Sequence, residues 1–373
     1  MEMPDGSVPF REAVKRSLLL AAVALTAAAV VFADDVPPPA APRLGDRADK
    51  LIQEGLPLCS DKVSTKYTGL VHKLPVNLQG EVIQIESQRQ VCAGQWVAIT
   101  SREGDFFLGI PWFLDGMTGT VEQKLKAFVL ANLQMTMEPV IDKERTKDGF
   151  FNVTLYQTTE HGKMPMQGEI DPEGTVLFIG HFHPISDAFR ESRLKPLQPF
   201  LDDSPATGAA KPAVTVIEFS DFECPSCQHA SGFMKPILEK YPDQVRYIRY
   251  DLPLVQMHPW AFNAAVAGRA IYRQKPDLFW VYKKQIYDNQ DKLNAFAIDD
   301  FARGFAQDHE LDMKKYDADV NSADLQKAIL TGAGTALSND VRATPTYFVN
   351  GTAVDPGNDG KYLEDYVAGL LKK

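Results

Sequence analysis

Two folded units are predicted: an α+β domain over residues 49–200 and an α/β domain with a helical insertion over 213–373. Three observations carry this reading. The stretch 201–212, LDDSPATGAAKP, is small, polar and rich in breakers, as domain linkers are. Before it, short alternating runs suggest an antiparallel sheet. After it, an almost wholly apolar strand runs into a helix and then a second strand, a βαβ unit.

The N-terminus reads as a targeting segment. Arg11, Lys15 and Arg16 precede an apolar run from Leu18 to Ala33 that only Thr26 interrupts. That run is short for a membrane span, and small residues at its end suit cleavage after Ala33. Residues 1–33 are thus expected to be a signal peptide, which makes the mature protein periplasmic or otherwise extracytoplasmic. Residues 34–48 are rich in Pro and Ala and are expected to be a spacer.

In the first domain, 79–85, 95–100 and 105–111 alternate as strands do. Residues 120–137 fit a helix, with Thr120 as N-cap and Gln123 completing a capping box. Strand-like runs follow at 150–157, 164–170 and 175–180, with a turn at Asp171-Pro172-Glu173-Gly174. Residues 186–200 suit a short helix before the linker. In the second domain, Val214–Phe219 and Val245–Tyr250 are strands, and a helix is expected from Cys224 to about Lys240. Residues 258–336 read as several helices. Strands 346–349 and 352–354 flank Asn350-Gly351, a strong hairpin signal, and an amphipathic helix closes the chain at 360–371.

The chain carries 39 Lys and Arg against 49 Asp and Glu, a net charge of −10, with no basic cluster. A phosphate backbone repels such a surface, so no nucleic-acid partner is expected. Four cysteines are too few for a disulfide scaffold, so their placement carries the information.

Cys224-Pro225-Ser226-Cys227 follows an apolar strand and opens a helix. Residues i and i+3 share a helical face, so the sulfurs can close a disulfide with little backbone movement. The helix N-terminus favours a thiolate at Cys224, which makes it the nucleophile. Cys227, one turn in, is the resolving thiol. Two alternatives stand beside the redox pair. One is half a zinc site with His229 as a third ligand, but the other cysteines lie far upstream in another domain. The other is an inert disulfide, whose small loop adds little stability.

EFSDFECPSC, the helical block beginning LPLVQMHPWAF, and VRATPTYFVNG together resemble the DsbA-type thiol:disulfide oxidoreductases, over residues 212–373. The resemblance implies a thioredoxin fold with a helical insertion and a cis-proline at Pro345. It implies that the Thr344 backbone pairs with an extended substrate chain. Glu218 takes the place of the family's buried acid, where burial would raise its pKa and let it shuttle a proton for Cys227. The resemblance also implies a membrane redox partner; cysteine-containing exported proteins are the expected substrates, and no cofactor is expected because the cysteine pair carries the electrons. A histidine is common between the cysteines of strong oxidases; Ser226 here carries no charge, so a weaker oxidant is expected. Glu223, directly before Cys224, is expected to be a solvated turn residue, with modulation of the thiolate as the alternative.

Cys59 and Cys92 most simply pair with each other outside the cytosol, for roughly 3–4 kcal/mol in the chain-entropy picture. Free thiols or an intermolecular bridge are the alternatives. His181 and His183 read as strand residues, with no third metal ligand apparent, and Met135, Met137, Met164 and Met166 as core filling. The end of the N-terminal domain is loosely similar to the dimerisation domain of DsbC- and DsbG-type isomerases, which raises a homodimer through that domain. The expected activity is disulfide donation. An isomerase or reductase held reduced by a membrane donor, or a chaperone without redox chemistry, are the other readings.

Overall fold

The computed structural model describes residues 48–89, 91–101, 104–186 and 188–372. The expected leader and all of the spacer except Ala48 lie outside them.

The first part of the chain holds strands β1 (Val63–Leu70), β2 (Gln79–Ser87), β3 (Gly94–Thr100), β4 (Asp105–Gly109) and β5 (Pro111–Phe113). Helix α1 (Val121–Leu133) follows, then β6 (Met137–Arg145), β7 (Phe151–Thr159), β8 (Gly162–Ile170), β9 (Val176–Ile179) and β10 (His183–Pro184). They form two five-stranded antiparallel sheets, in the orders β1-β2-β3-β4-β10 and β5-β9-β8-β7-β6. The sheets share a core in which Val82, Ile99 and Phe107 meet Phe150, Phe178 and Phe182. Leu125 and Val129 of α1 cover Val153, Leu155 and Leu177 of the second sheet.

Thr120 and Gln123 form the expected capping box, side chain to backbone in both directions. The helix stops at Leu133, short of residue 137, because Gln134 turns left-handed at φ 54° and Met137 already belongs to β6. Strands β1 and β6 escape a periodicity reading for a physical reason. Both lie at sheet edges and carry polar, charged residues, as edges that avoid pairing with other chains do.

The second part begins with α2 (Ala188–Leu194) and helical turns to Leu201. Then come β11 (Ala206–Gly208), β12 (Val214–Ser220), α3 (Pro225–Ala230), α4 (Met234–Lys240) and β13 (Val245–Asp251). Five helices follow: α5 (Ala261–Gln274), α6 (Pro276–Asp288), α7 (Ile298–Asp308), α8 (Met313–Val320) and α9 (Ala323–Leu337). Strands β14 (Thr346–Val349) and β15 (Thr352–Val354) and helix α10 (Lys361–Leu371) end the chain. The sheet order is β11-β13-β12-β14-β15, with β12 parallel to β13 and the other pairs antiparallel. Asn350 and Gly351 turn the last hairpin at φ 48° and 82°, a conformation that favours those two residues.

One sheet face packs Phe219, Tyr250 and Phe348 on Ala333 and Ala336 of α9. The other packs Val216, Tyr247 and Val349 on α4 and α10. Helices α5 to α9 build a core of their own, and Phe222, Cys224 and Cys227 sit at its edge.

Two expectations need correction. Residues 201–212 do not form a free linker. Ala206–Gly208 is an edge strand on β13, and the Arg249 N–H donates to the Pro205 carbonyl at 2.8 Å. Arg269 of α5 reaches the carbonyl of Asp203 and the hydroxyl of Ser204. Its Nε also pairs with buried Asp251 at 2.6 Å. The backbone donors of β13 require partners, and this segment supplies one. The second correction concerns the helix after Cys224, which breaks between Ala230 and Met234. Pro236 has no N–H for the Gly232 carbonyl, which accepts from Lys235 instead.

The two parts are packed together. Gln167 N–H of β8 donates to the Ser338 hydroxyl at 2.7 Å. Gly334 of α9 lies so close to the Pro165 carbonyl that a Cβ would fall 1.8 Å from its oxygen. The His161 ring stacks on Phe262 with centroids 4.2 Å apart, and Arg342 lies over the Trp96 ring at 5.3 Å. Cys59 and Cys92 are joined as a disulfide, with Cα atoms 6.1 Å apart, and Cys59 forms a β-bridge with Ala353 of β15.

Candidate active site at Cys224

Strand β12 is buried on both faces, which fixes where its C-terminal end delivers the chain. Helix α3 begins after the segment 221–224, with Cys224 as its N-cap residue and Pro225 at its first position, where a missing N–H costs nothing. The Cys224 carbonyl accepts the N–H groups of Cys227 and Gln228, both at 3.1 Å.

Both cysteines are unpaired, and they differ sharply. Cys224 is 7% exposed and Cys227 fully buried. The Cys224 pKa is lowered to about 5. The Cys227 thiol contributes most to this by hydrogen bonding, against an opposing desolvation penalty, with Thr344 and the backbone N–H groups of Cys227 and Ser226 adding to it. Burial pushes Cys227 well above the ordinary thiol range, and the charges of Cys224 and Glu218 push it further. One sulfur is therefore a thiolate at neutral pH and the other holds its proton.

The Thr344-Pro345 peptide is cis and brings this loop against the cysteine pair. When protonated, the Cys224 thiol donates to the Thr344 carbonyl at 3.3 Å. The Thr344 hydroxyl is buried without another hydrogen-bond partner, which leaves it available to the sulfur.

Glu218 lies in the middle of β12, 1% exposed. Its Oε2 accepts from the Tyr247 hydroxyl and lies 3.5 Å from the Lys283 ammonium, while its Oε1 has no hydrogen-bond partner. Lys283 in turn donates to the Tyr247 hydroxyl at 2.8 Å. Burial lowers the Lys283 pKa, and Glu218 opposes that. The sequence pointed to Glu218 without its partner, since a lysine on α6 carries no local mark of burial.

Asp221 and His258 were also missed. Asp221 is buried, and its N–H approaches the Cys227 sulfur at 3.5 Å. Its carboxylate accepts the N–H of Glu223 at 2.7 Å and of Leu254 at 2.7 Å, and holds His258 Nδ1 at 2.8 Å. Glu223 is not the solvated turn residue expected. It is half-buried, and its carboxylate accepts the Trp260 N–H at 2.7 Å. Burial raises its pKa.

The remaining candidates lie apart from this site. His229 bonds to the Asn358 carbonyl at 2.7 Å. His183 contacts Ser192 at 2.8 Å, and His181 contacts Glu169 and Gln167. Met137 and Met164 are core residues, and Met135 and Met166 pack against the core. Among the described residues no cluster of three or more His, Cys, Asp or Glu is arranged to hold a metal.

A pH dependence follows from the two sulfurs. The Cys224 pKa is depressed in the folded protein, so its contribution to the stability of the reduced form is lost as pH falls through about 5 and is complete above the ordinary thiol value of 9.0. Cys227 is raised, so its contribution is present below that value and is lost above it. Thiolate ultraviolet absorbance of the reduced protein should therefore rise near pH 5, accompanied by one fast-alkylating thiol. A single step near the ordinary thiol value of 9.0 would contradict the assignment.

A buried, asymmetric Cys-x-x-Cys at a strand-to-helix junction, faced by a cis-proline loop, defines the class: residues 201–367 are a thioredoxin-fold domain and match the family model described as Thioredoxin. With its helical insertion the domain resembles the DsbA-type thiol:disulfide oxidoreductases. It is 29% identical over 150 residues to a probable disulfide bond formation protein D of Bacillus cereus, covering 39% of this chain and 69% of that one. It is 32% identical over 158 residues to a Na(+)/H(+) antiporter NhaA 1 of Mycolicibacterium vanbaalenii, covering 42% of this chain. The chain spans only 25% of that antiporter's length. Among solved structures it is similar to BdbD from Bacillus subtilis, at 18% identity and a TM-score of 0.42 over 46% of this chain and 95% of that one. The match to the family begins at residue 201 and leaves the two-sheet domain outside it.

Proposed function

We propose that this protein is an exported thiol:disulfide oxidoreductase that donates the Cys224–Cys227 disulfide to cysteine-containing proteins. The observation that carries this is the asymmetry of the pair: an acidic, outer Cys224 and a buried, protonated Cys227. A substrate thiolate attacks the Cys224 sulfur, and Cys227 leaves with the electron pair and takes up a proton. We assign Glu218 to pass that proton; its burial, its one oxygen free of hydrogen bonds and its charge acting on Cys227 support this. The substrate's second thiolate then attacks its own sulfur in the mixed disulfide and expels Cys224 as a thiolate. The substrate leaves with a disulfide, and the protein holds its two electrons. No bound cofactor enters, because the cysteine pair carries the electrons; a membrane redox partner then removes them.

The Thr344 backbone beside Cys224 receives the substrate as an extended strand. Substrates from outside the cytosol fit the leader expected at residues 1–33. Among the described residues no helix is long and apolar enough to cross a membrane. On the N-terminal domain, Trp96, Arg89 and His161 meet the second domain of the same chain.

The test is the equilibrium of the couple against glutathione at neutral pH, with the oxidised fraction read by thiol trapping. Potentials of such pairs run from about −120 mV for a strong oxidant to about −270 mV for thioredoxin. A value at the oxidising end supports donation. A value at the reducing end moves the protein to the reductase or isomerase reading, and a pair that does not cycle ends the enzymatic reading.

A further inference from the structure

The strong electrostatic asymmetry at Cys224 arises without a charged residue between the cysteines, where Ser226 stands. The structure brings a titratable cation to the site from another element. Residues 254–260 precede α5 and are clipped to the segment 221–224 at two carboxylates. Asp221 holds Leu254 N–H and His258 Nδ1, at 2.7 and 2.8 Å. Glu223 holds the Trp260 N–H at 2.7 Å. Asp221 also touches the Cys227 sulfur through its own N–H at 3.5 Å, so one residue links the histidine to the cysteine pair. The His258 side chain is only 16% exposed, and that of Asp221 is fully buried. The Asp221 bond fixes one ring nitrogen as a donor and leaves Nε2 as the second protonation site.

We propose that His258, oriented by Asp221, is the positioning residue that stabilises the Cys224 thiolate and takes up a proton when the disulfide is reduced. The inference rests on the oxidoreductase reading and deepens it. In the oxidised protein Cys224 is neutral, and Asp221 and Glu223 are the carboxylates acting on His258. Reduction adds a negative sulfur. Burial pulls the His258 pKa down, but the Asp221 hydrogen bond and charge, then the charges of Cys224 and Glu223, outweigh it and raise the value. The coupling is reciprocal: a thiolate that favours the imidazolium is itself favoured by the imidazolium. Glu223 acts in the opposite sense on the sulfur, so His258 also offsets that charge. The balance is complete. Two electrons and one proton from glutathione convert the disulfide to the Cys224 thiolate and the Cys227 thiol. His258 takes a further fraction of a proton in the range where it titrates. The absent histidine at position 226 thus no longer argues for a weak oxidant.

The experiment compares the full chain with His258→Asn, whose amide keeps a donor for Asp221 but holds no charge. The glutathione equilibrium constant is measured from about pH 5 to 8, the range over which a histidine titrates. The variant should favour the disulfide by about 3- to 10-fold at the acidic end, equivalent to half to one unit of coupling. The two curves should converge at the alkaline end. Superimposable curves, or an offset that is equal at every pH, would overturn the inference and leave the oxidoreductase reading intact. A wild-type couple that fails to equilibrate would instead remove the oxidoreductase reading itself. A second measurement needs no substitution. The His258 ring titrated by NMR should have a higher midpoint in the reduced protein than in the oxidised one, and equal midpoints would also overturn the proposal.

Discussion

Cys224→Ser should abolish disulfide exchange, lowering the rate of oxidation of a dithiol peptide by about 1000-fold or more. A serine oxygen forms no mixed disulfide, and Cys227 is fully buried, so no second sulfur can replace the first. The fold should survive, because the substitution exchanges one small side chain for another at a helix N-cap, where serine is well suited. Cys227→Ser should behave differently. Its Cys224 still attacks a disulfide but lacks the internal thiol that releases the product, so covalent complexes accumulate and appear on non-reducing gels. Exchange by Cys224→Ser at near wild-type rate would mean that another group does the chemistry, or that the thioredoxin domain is a scaffold for binding alone.

Lys283→Met should be strongly destabilising although it touches neither sulfur. It leaves the Glu218 carboxylate buried at 1% exposure with the Tyr247 hydroxyl as its remaining partner. Breaking one side of a buried pair costs about 3–5 kcal/mol. At roughly 2–4 °C per kcal/mol, the melting temperature should fall by about 6–20 °C. Removing the whole cluster, as Glu218→Leu with Lys283→Met and Tyr247→Phe, should recover most of that stability, because no polar group is then stranded. The triple variant also separates stability from chemistry. If Glu218 passes the proton to Cys227, the stable triple variant remains slow in the step that releases Cys227. A triple variant that is both stable and fast would remove Glu218 from the mechanism.

Much of the site was legible because its signals are local. The apolar run Val214–Phe219, the Cys-x-x-Cys that follows it and the Asn-Gly hairpin each span a few residues, and each fixes a backbone geometry through its own side chains. The cis-proline at 345 was expected only through the resemblance, because no local signal in the sequence separates a cis from a trans X-Pro bond, and the structure shows it cis. Glu223 was misread because a carboxylate beside a turn takes its character from what packs on it. Here that is the Trp260 N–H, 37 residues downstream. The expected linker failed in the same way. Its small polar composition is real, but Arg269 pins Asp203 and Ser204 from 66 and 65 residues away.

By itself, then, the sequence determined the chemistry-bearing pair, the strand that aims it, and the α/β and helical character of the domain around it. These follow from propensity and periodicity, which act over one or two turns of chain. Only the tertiary structure decided the electrostatics of that pair. Lys283 reaches Glu218 and Tyr247 from α6, His258 reaches Asp221 from the segment before α5, and Thr344 reaches Cys224 across 120 residues. It likewise decided that the first domain is two stacked sheets docked on the second. The physical reason is one of range: burial and charge pairing act between atoms that the fold brings together, and no window of neighbouring residues encodes which atoms those will be.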